Sequence, residues 1–97
     1  MSQYIVLTRV SPDALQTPEG LLDLEKQVKD RVSKECPDVR WKNNLAVMGP
    51  YDYLDIFEAP DNDTAMRVSA IIRSVGNAST ELWPATDWSN FRDQVLK

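Results

Sequence analysis

The feature that most limits the folds open to this chain is that its strand-like runs are apolar on consecutive residues. Tyr4-Ile5-Val6-Leu7, Leu45-Ala46-Val47-Met48 and Ile56-Phe57 put no polar residue between apolar ones. Successive strand residues face opposite sides of a sheet, and an antiparallel sheet with one solvated side alternates apolar and polar positions. A sheet made from these runs needs cover on both faces.

The order of elements says how much cover the chain supplies itself. Residues 3–9 are β-branched and aromatic and give way to Ser11-Pro12-Asp13, a turn cluster. Thr17 before Pro18 has the form of an N-cap followed by proline at the first helical position. Leu21, Leu24, Val28 and Val32 then carry an apolar stripe to about Lys34. Pro37-Asp38 closes that helix, and an extended pattern runs from Val39 to Met48, with Val39, Trp41, Asn43, Leu45 and Val47 expected on one face. Gly49-Pro50-Tyr51-Asp52 reads as a turn and Tyr53 to Glu58 as a third strand, so strands two and three form a hairpin. Pro60-Asp61-Asn62-Asp63 opens a second helix with the stripe Ala65, Val68, Ile71, Ile72 and Val75, and Gly76-Asn77 is a left-handed stop. Ser79 to Trp83 reads as strand four. Trp88, Phe91, Arg92 and Val95 form a short amphipathic C-terminal helix after Thr86-Asp87.

This order is the ferredoxin-like βαββαβ arrangement, an α+β fold in which an antiparallel sheet carries two helices on one face. Ninety-seven residues make one domain, residues 1–97, with a modest core that self-association would supplement. The second sheet face is best covered by another copy of the chain, giving a homodimer of the dimeric α+β barrel type with a cavity between the sheets. The C-terminal helix is the rival cover, through Trp88 and Phe91.

The residues around the hairpin also carry a resemblance. Gly49-Pro50-Tyr51-Asp52, an apolar strand, Glu58-Ala59-Pro60-Asp61, a helix ending Gly76-Asn77 and a strand near Thr80-Glu81 follow in that order. This pattern resembles the GYD-domain family of small bacterial proteins and spans nearly the whole chain, departing from it at Asp55 and in the segment around Trp83 and Trp88. The resemblance implies a dimeric α+β barrel and assigns no reaction. More distantly, the Gly-x-Tyr-Asp hairpin is similar to the effector-binding domains of the Lrp/AsnC regulators, which bind amino acids between subunits. These residues contain no counterpart of such a regulator's DNA-binding half.

Composition removes several functions. Eleven basic against fifteen acidic residues give a formal charge of −4, the wrong sign for neutralising phosphates, so no nucleic-acid partner is expected. Lys26, Lys29, Arg31 and Lys34 are interleaved with Glu25, Asp30 and Glu35 and read as a solvated helix face. No apolar run approaches the ~20 residues of a membrane span and no signal pattern opens the chain, so no membrane partner and a cytoplasmic location are expected. Asn62-Asp63-Thr64 and Asn77-Ala78-Ser79 match glycosylation triplets but read better as helix punctuation. Cys36 is the single cysteine, which excludes an internal disulfide. Its place at a helix C-terminus argues for an inert thiol, with Lys34 as the opposing consideration. There is no histidine, and hence no Ser-His or Cys-His nucleophile.

The remaining candidates for chemistry are carboxylates and aromatic rings. Asp52 either orients a ligand together with Tyr51 or accepts backbone N–H groups within its own turn. Asp55, mid-strand between Leu54 and Ile56, should be partly buried and either paired with Arg9, Arg40 or Lys42 or raised in pKa as a general acid or base would be. Tyr4, Trp41, Tyr53 and Phe57 could line a cavity for a flat apolar ligand or simply form core. Asp61 and Asp63 resemble the first ligands of a calcium loop but lack its glycine and its closing glutamate, and are expected to be helix caps. The expected binding set is therefore Tyr4, Trp41, Tyr51, Asp52, Tyr53 and Asp55, with no catalytic residue, metal or cofactor. The functional expectation is a non-enzymatic dimer that binds a small molecule or acts as a regulatory or interaction module. The alternative is a cofactor-independent oxygenase or isomerase using Asp55 or Asp52 in an intersubunit cavity, with Tyr51 or Tyr53 as hydrogen-bond donor.

Overall fold

The computed structural model of the chain describes residues 1–11 and 17–97. The Pro12-Asp13 part of the expected first turn lies outside the described residues. The elements follow the order β1 (Ser2–Val10), α1 (Pro18–Glu35), β2 (Arg40–Ala46), β3 (Tyr53–Ala59), α2 (Asn62–Gly76), β4 (Ala78–Ala85) and α3 (Trp88–Asn90), which continues as a π-helical turn, Phe91–Val95. The four strands form one antiparallel sheet in the order β2-β3-β1-β4, the split βαβ topology expected from the sequence. No helix among the described residues is long and apolar enough to cross a membrane.

Local chemistry sets the helix ends. The Thr17 hydroxyl accepts from the Gly20 N–H at 3.0 Å, and the Asp61 carboxylate accepts from the Thr64 N–H at 2.7 Å, each satisfying a backbone donor that the first helical turn leaves open. The expected left-handed stop at the end of α2 is formed by Asn77, with φ at 48°. Asn77 then returns its own N–H to the Arg73 carbonyl.

Residue alternation along β1 and β3 divides the sheet into two sides. Tyr4, Val6, Phe57 and Ala59 face the helices and join Val32, Ala65, Val68, Ile71 and Ile72 in a closed core, where Phe57 packs on Tyr4 and Trp41 with ring centroids 5.7 and 5.6 Å apart. The two helices are also tied together on their outer side: Glu35 of α1 accepts from Arg31 at 2.9 Å and from Arg67 of α2 at 2.5 Å.

Strand two departs from the expected alternation. A bulge between Trp41 and Asn43 puts Trp41 opposite Phe57 on the helix side, while Asn43 and Leu45 pair with Ile56 and Leu54 on the other side. An extra residue in one strand shifts every later side chain to the opposite face, so these five residues do not share a face. The strand also ends at Ala46; Val47 donates to the Asp52 carbonyl at 2.9 Å as the last link before the turn.

The C-terminal segment does not fold back as the rival cover would require. Among the described residues, neither α3 nor its π-helical continuation comes against any other element, and Trp88 and Phe91 pack on each other at 5.7 Å. Ile5, Leu7, Leu45, Leu54, Ile56 and Trp83 thus share a sheet face with no helix over it. Leu45 and Trp83 are 48% and 47% exposed, whereas Leu7 is buried between its cross-strand neighbours Leu54 and Glu81.

Candidate functional site

Helix α2 lies close against β4, β1 and β3, whereas α1 packs on α2 and stands off the sheet. The consequence is visible in the α1 stripe. Val32 is buried and Val28 packs on the core, but Leu21 at the other end is exposed. Between the first turns of α1 and the helix side of the sheet is a cavity of about 540 Å³. Its walls are apolar, including Leu21, Leu24, Val28 and Trp41, and its polar groups are Thr8, Glu25, Lys29, Asn44, Tyr53 and Asp55. A mostly apolar pocket of this size with a few convergent polar groups is the usual form of a small-molecule site.

The polar groups form a relay across three elements. Lys29 Nζ of α1 donates to Asn44 Oδ1 at 2.8 Å, and Asn44 Nδ2 donates to Asp55 Oδ1 at 2.7 Å. The Lys29 ammonium also lies 3.9 Å from the centroid of the Trp41 ring, within cation–π range. Burial raises the Asp55 carboxyl above its ordinary range, with the Asn44 hydrogen bond and the Lys29 charge partly opposing and Glu25 adding to the rise. Burial lowers Lys29, against the attraction of Asp55 and Glu25. Tyr53 is raised by burial and then by the negative charges of Asp52, Asp55 and Glu25, so its hydroxyl stays protonated and can donate. Thr8 is 4% exposed, and its Oγ1 is the buried side-chain oxygen that has no hydrogen-bond partner among the described residues.

The six residues expected from sequence separate into three places. Trp41, Tyr53 and Asp55 line the cavity. Tyr4 does not: it is buried in the core, where its hydroxyl donates to Asn62 Oδ1 at 2.6 Å and so ties β1 to the start of α2. Asp52 serves the hairpin, but across the sheet and not within its own turn. Its Oδ2 accepts the Val10 N–H at 2.8 Å, and its N–H donates to the Thr8 carbonyl at 2.8 Å, clamping the turn to the end of β1. Tyr51 lies on the opposite, open side, where its hydroxyl donates to Glu81 and the Arg9 guanidinium sits 5.5 Å from its ring centroid. The Glu81 bond raises the Tyr51 hydroxyl, and the bonds from Tyr51 and Trp83 lower the Glu81 carboxyl.

Asp55 needs two corrections. Its partners are Asn44 and Lys29, not Arg9, Arg40 or Lys42, because the bulge turns Asn44 to the helix side and α1 brings Lys29 over it. For the same reason it faces an intramolecular cavity and not the open sheet face, so the alternative reading of Asp55 as a base between subunits loses its geometry. The Cys36 thiol is buried and raised by that burial, and the nearby cation is Arg67, not Lys34.

Thr8, Lys29 and Asn44 were not expected in a site. The signal for Thr8 was present: it falls two residues after Val6, on the alternation that Tyr4 and Val6 set for the core side. Lys29 and Asn44 are ordinary polar residues in sequence, and only the bulge and the placement of α1 bring them together.

Comparisons with known proteins agree with this fold. The family model described as the GYD domain matches residues 4–95. A protein of Thermus thermophilus described as a glutamine synthetase and cystathionine beta-lyase binding protein is 30% identical over 80 residues, covering 82% of this chain and 83% of that protein. Among solved structures, the leucine response regulatory protein LrpA of Mycobacterium tuberculosis superposes over 89% of this chain with a TM-score of 0.59 at 14% identity. The chain spans about half of that structure, 51% of its length, and the likeness is one of fold. With the family pattern matched from the first strand to the C-terminal helical turn, this chain belongs to the GYD-domain family.

Proposed function

We propose that the chain is a non-enzymatic interaction module, acting as a homodimer over residues 1–97, whose partners are metabolic enzymes. The observation that carries the reading is the open sheet face. Ile5, Leu45, Leu54, Ile56 and Trp83 form an apolar centre on a side that no helix covers, and Arg9, Tyr51, Glu81 and the Lys42–Glu58 pair at 4.0 Å surround it with polar groups. An apolar centre with a polar rim is how protein interfaces are built, and a monomer of this size rarely leaves such a face bare. A second copy fits because the face would meet itself about a two-fold axis. The enzyme partner is supported by the description of the Thermus relative. A cytoplasmic location goes with this reading.

Analytical ultracentrifugation of the wild-type chain and of Leu45→Glu/Trp83→Glu tests the assembly. The expected result is a dimer that the double substitution converts to a folded monomer, and a wild-type monomer at micromolar concentration would refute it. Biosensor measurements with purified glutamine synthetase and with cystathionine β-lyase test the partner. Saturable binding to either supports the module, and binding to neither removes the enzyme-partner reading.

A further inference from the structure

We infer that the cavity between α1 and the helix side of the sheet is a ligand site for a small apolar molecule with one amino or hydroxyl headgroup, held by Thr8 and Asp55. Three independent features lead there. The cavity, at about 540 Å³, falls in the range that encloses small ligands, and its walls of Leu21, Leu24, Val28 and Trp41 suit an apolar body. Thr8 is buried in its wall with a side-chain oxygen that has no partner among the described residues, a costly arrangement that a bound polar group would relieve. The third feature is charge.

Among the described residues, Glu25 and Asp55 both line the cavity against one cation, Lys29, which already donates to Asn44 and rests on the Trp41 ring. Two carboxylates against one ammonium bias the polar end towards negative potential. It therefore suits a headgroup that donates, an amine or an alcohol, and disfavours a carboxylate. The negative charges that raise Tyr53 act in the same direction. The site lies on the opposite side of the sheet from the proposed dimer face, so it does not depend on that reading. Leu45 also borders the cavity, so ligand binding is followed in the wild type and in Trp83→Glu, which changes the open face alone.

The test is amide and indole NMR titration with phenethylamine, phenethyl alcohol and phenylpropionate, three probes with the same apolar body and different headgroups. The inference expects saturable shifts at Thr8, Asp55 and the Trp41 indole with the amine or the alcohol. Thr8→Val should weaken binding by about tenfold or more, with Thr8→Ser restoring it and Leu24→Trp, which fills the cavity, abolishing it. Circular dichroism identifies any variant that fails to fold. The inference is overturned if no probe gives saturable shifts, if the shifts fall on the open face, if phenylpropionate binds most tightly, or if Thr8→Val binds as the wild type does.

Discussion

A carboxylate on the core side of a small sheet is unusual enough that its titration should be measurable in the stability of the whole fold. Asp55 is raised above its ordinary 3.8 because burial disfavours the ionised form more than Asn44 and Lys29 favour it. The folded state therefore holds this proton more tightly than the unfolded chain. Its contribution to stability is complete below 3.8 and is lost as pH rises through the higher folded value. Asp55→Asn cannot ionise and keeps an oxygen for the Asn44 amide. Its stability relative to the wild type should rise as pH goes from 3.5 to 7, roughly the range that urea denaturation can follow. A relative fall over that range would mean that the attraction between Asp55 and Lys29 outweighs burial. Asp55 was recognisable from sequence as a charge among apolar neighbours. Its partners were not, because a one-residue bulge and the stand-off of α1 decide which polar groups it meets, and neither is encoded in the local pattern. The Asp52 clamp on Val10 was equally hidden, since it joins residues far apart in sequence.

The elements themselves were far more legible, because caps and apolar stripes are local. Thr17-Pro18 starts α1 and Asp61 starts α2 as their side-chain chemistry requires. The end of α2 offers a test of that logic. Asn77 sits at φ 48°, where the Cβ of an ordinary residue crowds the backbone and where asparagine is tolerated better than most. Asn77→Ala should destabilise the fold by about 1 kcal/mol, while Asn77→Gly, free of the Cβ, should be neutral or slightly stabilising. Urea denaturation of the two variants reads this directly. Equal stabilities would mean that the left-handed turn is not what ends the helix. The Gly76-Asn77 stop is where the sequence put it, whereas β2 was expected to run two residues further, to Met48, at a boundary where the neighbouring residues satisfy the same pattern.

Taken as one body, the molecule is elongated, with extents of 50 × 30 × 17 Å and a radius of gyration of 14.2 Å, against roughly 12.5 Å for a compact chain of this length. The bare sheet face and the projecting C-terminal segment are two parts of the same excess of surface. Trp88 is 66% exposed, with Val95 and Leu96 exposed beside it, on a segment that comes against no other element of its own chain. Side chains on a segment that packs on no other described element contribute little to the stability of the rest, so their removal separates folding from assembly. Trp88→Ser/Phe91→Ser should leave the circular dichroism spectrum and the intrinsic unfolding free energy of the monomeric Leu45→Glu/Trp83→Glu background unchanged within ~0.5 kcal/mol. In the otherwise wild-type protein, the same pair should weaken self-association by about tenfold or more, seen as a dimer that dissociates at higher protein concentration in ultracentrifugation. The thermal midpoint of that variant should fall more steeply on dilution, as mass action requires of a dimer-stabilised fold. If association were untouched, the proposed dimer would rest on the sheet face alone. The exposed tryptophan and phenylalanine would then be free for a different protein, which ties the fate of this segment to the enzyme-binding measurement.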